Sequence, residues 1–257
     1  MGNNFKVGLA LGGGVARGLA HIGVLKILLR AGVKIDYLAG TSIGSLIASL
    51  YACGLSLKVI EELARGISRR VWMDYTLPRM GLMAGERLEQ LVSLLTRRRR
   101  IEELPLPLGI IATDLTEGKR VILRSGSIAK AVRASCAIPG IFKPVEIDGR
   151  LMVDGGVLEM VPARAVKEMG AGLVIAVDVG SYEDEHKIEN MFDIIFRAIN
   201  IMAREITESR ESGADLVISP DLGGITSFQF HRAAEVITIG EKAANGALPS
   251  IRAILSS

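Results

Sequence analysis

Histidine, cysteine and aromatic residues are all scarce in this chain, and each shortage excludes something. His21, His186 and His231 are the only histidines among 257 residues, a thin supply of metal ligands and of general bases. Cys53 and Cys136 are the only cysteines, so neither a disulfide framework nor a zinc cluster is expected. Aromatics make up 4%, which argues against a base-stacking surface. Charge of one sign is also missing. The 31 Lys and Arg exceed the 28 Asp and Glu by three, too few to draw in nucleic acid. The run Arg97, Arg98, Arg99, Arg100 is local and is followed at once by Glu102 and Glu103. No stretch approaches the roughly 18 apolar residues of a membrane span. The opening MGNNFKVGLALGGG lacks the apolar core and cleavage pattern of a signal peptide, and Lys6 stands where myristoylation needs Ser or Thr. A cytoplasmic protein, at most peripheral at a membrane, is the expectation.

Glycine is abundant instead: 29 of 257 residues, against a usual share of about 7%. The chain is 49% apolar and 23% charged, enough for a full core. Apolar strands at 5–11, 35–39, 108–113, 119–124, 173–178 and 215–219 alternate with helical patterns at 16–30, 43–53, 56–70, 86–98, from Ser127 to Pro139, and at 162–169, 190–210 and 229–245. Residues 145–153 read as a hairpin turning on Asp148-Gly149. Short, continuously apolar strands separated by helices predict an α/β fold, a three-layer α/β/α sandwich with a mostly parallel central sheet. The expected organisation is one catalytic domain over 5–220 and a helical extension over 221–257 packed on it.

Chemistry concentrates at the first two strand ends. Gly12-Gly13-Gly14-Val15-Ala16-Arg17-Gly18 joins the first strand to the first helix. It reads as a variant dinucleotide loop, as an oxyanion hole of backbone donors, or as a close strand–helix crossing. A dinucleotide site needs an acid at the tip of the second strand, whereas Asp36 stands at its start. At the tip comes Gly40-Thr41-Ser42-Ile43-Gly44, a G-x-S-x-G run between strand and helix, as a nucleophile elbow requires. Ser42 is therefore the candidate nucleophile, with a helix-capping serine as the plainer reading. Gly40 and Gly44 would avoid clashes under the turn.

No histidine is well placed to serve Ser42. His186 lies in a charged loop, His231 begins the last helix, and His21 fits a core role. A carboxylate can pair with serine directly. Asp154, entering Gly155-Gly156 at the end of an apolar strand, is the candidate. A simple turn reads equally well there, and Asp114 and Asp178 end strands too.

These residues resemble the patatin-like phospholipase family, particularly its short bacterial single-domain members, from residue 6 to about 220. The glycine loop resembles that family's oxyanion motif, the G-x-S-x-G run its elbow, and Asp154-Gly155-Gly156 the motif of its dyad aspartate. Ala134-Ser135-Cys136-Ala137-Ile138-Pro139-Gly140-Ile141-Phe142 and Ala112-Thr113-Asp114-Leu115 are similar to its other recurring segments. The resemblance implies a Ser42–Asp154 dyad without histidine. Asp154 would be ionised as the base, and Gly12, Gly13, Gly14 and Ile43 would supply oxyanion donors. Arg17 would hold the loop, with Gly40, Gly44, Gly155 and Gly156 in support. No metal or other cofactor is implied. The family usually places Asn between Asp-Gly-Gly and the next Pro, where this chain has Val157-Leu158-Glu159-Met160-Val161-Pro162.

The implied activity is a serine esterase acting on lipid or lysophospholipid esters through an acyl-enzyme. Acyl transfer, a catalytically weak regulatory protein on the same fold, and a nucleotide binder are the alternatives. An acyl groove is expected around Trp72, Met73, Tyr75, Leu77, Met80, Leu82 and Met83, with Arg69, Arg70 and Arg79 near anionic headgroups. The apolar stripe of 190–206 is expected mainly in the core. Transient membrane-surface contact is a possible partner interaction; no nucleic acid is expected, and oligomeric state is not readable.

Overall fold

A computed structural model describes residues 5–66, 74–75, 80–180, 191–208, 213–226 and 228–256. Apolar pentapeptides make the centre of its sheet. β1 (Val7–Leu11) and β7 (Leu173–Val177) are buried at every position, and β2 (Tyr37–Thr41) at all but its first. With β3 (Leu108–Asp114) and β8 (Leu216–Ile218) they form a parallel run. The remaining strands, β4 (Lys119–Leu123), β5 (Val145–Ile147) and β6 (Arg150–Asp154), are antiparallel. The order is β5-β6-β3-β2-β1-β7-β8, with β4 also on β3. The central sheet is thus mixed but largely parallel.

Eight helices are described: α1 (Ala20–Arg30), α2 (Ile43–Ala52), α3 (Leu57–Gly66), α4 (Glu86–Leu95), α5 (Ile128–Ser135), α6 (Ala163–Glu168), α7 (Met191–Glu208) and α8 (Ala233–Ser256). Strand residues alternate between the two faces, as the pleat demands. Leu9, Leu11, Leu38, Ile175 and Val177 join a large core with α1, α2 and α8. Ala10, Ala39, Val174 and Ala176 face Ala163 and Val166 of α6 and Met169 just after it. Small residues on that second face let α6 lie close. α8 rests on α1 with backbone nearly touching backbone, since a Cβ at Gly23 would stand 2.0 Å from the Ile237 carbonyl and one at Gly240 would stand 2.1 Å from that of Ala20. Lys26 of α1 bridges Glu61 of α3, at 2.9 Å, and Glu241 of α8.

Three elements differ from the sequence pattern. The first helix opens as a 3₁₀ turn, Val15–Leu19, before α1 begins. β2 starts two residues late because Asp36 is spent on the sheet end: its carboxylate accepts the Val7 N–H at 3.0 Å. The last helix does not stop near 245. Buried Ala244 and Ile251 carry one apolar face past Gly246 and Pro249 to Ser256.

One feature of the sheet positions everything that follows. β4 pairs with β3 from Ile110 to Asp114, and so takes one edge of that strand. β2 pairs with Leu108–Ile111 and β6 with Ala112–Asp114, so both must occupy the other edge, end to end. β2 runs parallel to β3 and finishes with Thr41 opposite Ile111. β6 runs antiparallel and finishes with Asp154 opposite Ala112. The two chains approach head-on and leave the sheet at adjacent registers.

Candidate active site

Ser42 follows β2 directly and is forced into a sharp turn. Its φ of 53° is strained for a residue with a side chain. The turn fits only over glycine: a Cβ at Gly40 would lie 2.5 Å from Gly44, and one at Gly44 would lie 2.2 Å from the Leu11 carbonyl oxygen. Short hydrogen bonds hold the strained residue. The Ser42 N–H donates to the Ser135 hydroxyl (2.8 Å), the Ser45 hydroxyl donates to the Ser42 carbonyl (2.6 Å), and the Ser45 N–H reaches the same carbonyl (2.8 Å). Ser135, at the end of α5, belongs to the segment 134–142 singled out in the sequence, but nothing there assigned it a role of its own. Its role depends on tertiary contact.

Asp154 reaches the same point from β6. Its N–H donates to the Ala137 carbonyl (2.9 Å), and its Oδ1 accepts the Gly156 N–H (2.8 Å). The Ser42 side chain stands close enough to the carboxylate to lower its pKa. Burial outweighs that and the Gly156 hydrogen bond, and pushes the Asp154 pKa up to about 7. Near neutral pH the carboxyl is therefore divided between its two forms, where the sequence leads one to expect an ionised base. The rival carboxylates are engaged elsewhere. Asp114 caps a turn, accepting the N–H groups of Thr116 and Glu117 at 2.9 and 3.1 Å, and Asp178 accepts the Gly180 N–H at 2.8 Å.

The donor set is narrower than the motif suggests. The Gly12 N–H extends the sheet ladder to the Val177 carbonyl (3.0 Å), and the Gly13 N–H donates to the Met160 carbonyl (2.9 Å). Neither faces a substrate in this conformation. Gly14, in the glycine loop, and Ile43, directly after Ser42, keep amides that no described residue accepts. Met160 also brings its thioether beside Gly13 and Gly156, 2.7 and 2.9 Å from where a Cβ would be. It closes one flank of the site, a place the run Glu159-Met160 did not advertise.

The surrounding side chains act as fasteners. Arg17 is 2% exposed and its Nε donates to the Ile225 carbonyl (2.7 Å), tying the glycine loop to the segment before α8. His21 is fully buried with Nε2 2.8 Å from the Gly12 carbonyl. As the partner is a carbonyl, Nε2 carries the proton, and burial lowers the His21 pKa to about 4. It is a neutral strut for the loop. The Thr41 hydroxyl donates to the Glu159 carbonyl (2.9 Å), and the Glu159 carboxylate pairs with Arg120 at 2.7 Å. The Cys136 thiol lies against the Ser42 and Ser45 hydroxyls, and burial drives its pKa up to about 12, so it stays a thiol. Among the described residues no three of His, Cys, Asp and Glu gather as metal ligands.

An apolar cluster adjoins the dyad. Met83, Ala137, Ile138, Ile141 and Phe142 form its buried part, and Val15, Leu82, Ile195 and Ile199 pack on it. Arg133 staples the 80–85 segment there, bonding the carbonyls of Ala84 and Lys143 with its guanidinium 5.5 Å from the Phe142 ring centre. Of the residues expected in an acyl groove, Leu82 and Met83 belong to this cluster, whereas Tyr75 and Met80 are exposed. Trp72, Met73 and Leu77 lie outside the described residues, as do Arg69, Arg70, Arg79 and His186. His231 is exposed at the start of α8. The stripe on α7 is split: Ile195, Ile199 and Ala203 pack inward, while Met191, Ile194, Ile201 and Met202 are each more than half exposed.

Such a site can deprotonate a hydroxyl and stabilise an adjacent developing oxyanion, which is the chemistry of acyl transfer. Comparison with known proteins points the same way. The model of the patatin-like phospholipase family matches residues 9–167. An uncharacterised NTE family protein of Mycobacterium tuberculosis is 38% identical over 181 residues, 69% of this chain and 50% of that protein. Human patatin-like phospholipase domain-containing protein 6 is 38% identical over 186 residues, again 69% of this chain but 14% of its own length. Lysophospholipase NTE1 of Yarrowia lipolytica is 37% identical over 184 residues, 69% and 13% respectively. The chain thus matches at most about half the length of these curated relatives. In fold it resembles VipD of Legionella pneumophila, with a TM-score of 0.57 at 16% identity over 96% of this chain and 67% of VipD.

Proposed function

Because the chain belongs to the patatin-like phospholipase family, we propose that it hydrolyses carboxylic esters of lipids, with Ser42 as nucleophile and Asp154 as general base. The meeting of the Ser42 and Asp154 strand ends at adjacent registers of β3, with Ser42 close enough to lower the pKa of the buried Asp154 carboxylate, carries this reading. Asp154 takes the hydroxyl proton as Ser42 Oγ attacks the ester carbonyl. The tetrahedral oxyanion falls between the Gly14 and Ile43 amides, each such donor contributing about 3 kcal/mol to transition-state stabilisation in serine hydrolases. Asp154 then protonates the leaving alcohol, and the acyl-enzyme remains. Water, deprotonated by the same carboxylate, releases the fatty acid and restores Ser42. An alcohol arriving in place of water would make the reaction acyl transfer.

A lysophospholipid is the favoured substrate, since a lysophospholipase stands among the similar proteins and an apolar cluster adjoins the dyad. The exposed apolar half of α7, Met191, Ile194, Ile201 and Met202, supports contact with the surface of a lipid aggregate, where such substrates reside. No described helix is long and apolar enough to cross a membrane, so this contact would be peripheral. The test is an ester series from four to sixteen acyl carbons, with lysophosphatidylcholine included, run on wild type and Ser42→Ala. Hydrolysis that rises with chain length and is lost in Ser42→Ala is expected. Wild-type turnover in the variant would remove the proposed nucleophile, and a strong preference for the shortest esters would remove the lipid substrate.

A further inference from the structure

Val15 is the most conspicuous anomaly of the glycine loop. Its φ is 51°, a region that branched side chains almost never enter. Glycine would rest there without strain, so a valine is held in place by its surroundings. Those surroundings are the apolar cluster of Met83, Ile138, Ile141 and Phe142, on which the Val15 side chain packs together with Ile195 of α7. The residue immediately before it, Gly14, keeps an amide that no described residue accepts. Val15 therefore connects the proposed oxyanion site to the apolar cluster.

Proton transfer decides which part of an ester meets it. The leaving oxygen must stand within reach of Asp154, so the alcohol lies on the flank of Gly156 and Met160, whose atoms crowd that carboxylate. The acyl chain leaves the carbonyl carbon away from that oxygen, and the apolar cluster on which Val15 packs, tied to Asp154 through the Ala137 carbonyl, offers it an apolar surface. Resting on the proposed esterase chemistry, we infer that Val15 sets the acyl specificity of the enzyme: its isopropyl group forms the wall that limits the length and bulk of the chain entering the cluster.

The experiment measures kcat/KM for butanoate and dodecanoate esters on wild type, Val15→Gly and Val15→Leu. Removing the side chain should raise the dodecanoate-to-butanoate ratio about tenfold, and leucine should lower it, the scale set by gaining or losing a few carbons of pocket. A residue that only shaped the loop would change both esters by one factor and leave the ratio fixed, which would overturn the inference. Calorimetric binding of dodecanoate and butanoate to Ser42→Ala, with and without Val15→Gly, gives the same ratio without turnover. Should wild type hydrolyse no ester, the esterase reading fails on its own, and the binding ratio still decides the role of Val15: a shift toward dodecanoate supports it, and an unchanged ratio overturns it.

Discussion

The two strand ends that meet on β3 are made in opposite ways. Ser42 sits at the end of a parallel strand and at the start of a buried helix, and its conformation is enforced largely from within a few residues, with Ser135 as the distant partner of its N–H. Gly40, Gly44 and Ser45 are all parts of the same turn. Asp154 sits at the end of an antiparallel hairpin strand and is placed by distant partners: Ala112 across the ladder and the Ala137 carbonyl on its N–H. The proposed nucleophile is thus held largely by local contacts and the proposed base by tertiary ones. Strain marks the first, where φ is positive, whereas burial marks the second, whose carboxyl is pushed up to about 7.

Asp154→Asn should break this comparison most severely. It keeps the shape but removes the proton acceptor, and kcat should fall about 10⁴-fold, measured on a soluble butanoate ester. Survival of activity would mean that the tertiary half is not the base. The same variant carries a stability signature. Asp154 holds its proton in the folded chain up to about pH 7 and loses it near its ordinary value of 3.8 when unfolded. Wild-type stability therefore declines as pH rises from about 4 to 7, and melting scans should show Asn gaining on Asp across that window. In activity, kcat/KM should drop toward tenfold per pH unit below about 7, as the base becomes protonated. A profile flat down to pH 5 would contradict the buried carboxyl.

Gly44→Ala and Gly155→Ala test the two ends in parallel. The added Cβ would meet the Leu11 carbonyl oxygen at 2.2 Å and the Ile111 carbonyl oxygen at 2.4 Å. Each should lose about 3 kcal/mol of stability, the upper range for overpacking, read as a fall in urea midpoint. An unchanged midpoint at either position would show that this strand end yields. Ser135→Ala should be milder, since it leaves the buried Ser42 N–H unpaired at a cost of about 1–3 kcal/mol, and kcat should fall about tenfold. The smallest effect is expected from Arg120→Gln. It weakens the tie to Glu159, partly open to solvent, so a loss of about 1 kcal/mol and less than a threefold change in kcat should appear in melting and ester assays.

The same division explains what could be read in advance. The elbow was legible because strand, glycines and serine are contiguous, and a buried strand followed by a helix has a period of its own. The turn of the β5–β6 hairpin was legible too, since Asp148 and Gly149 both take positive φ. That β6 would lie end to end with β2 was not, because periodicity says nothing about which edge a strand will find. The oxyanion donors were overcounted for a related reason. A glycine triplet announces backbone freedom, but whether an N–H is free depends on what it meets, here Val177 for Gly12 and Met160 for Gly13. The length of α8 was hidden by Gly246 and Pro249, which local propensity treats as stops and the α1 contact overrides.

The shared edge of β3 also governs when the proposed dyad can assemble. Asp154 comes 112 positions after Ser42, and β3 lies between them in sequence. Whatever the order of folding, Ser42 has no carboxylate partner until β6 has taken the vacant stretch of that edge. The strand would then act as an assembly checkpoint: the proposed reactivity needs completion of the sheet, and a fragment cut short of β6 carries a serine with no partner.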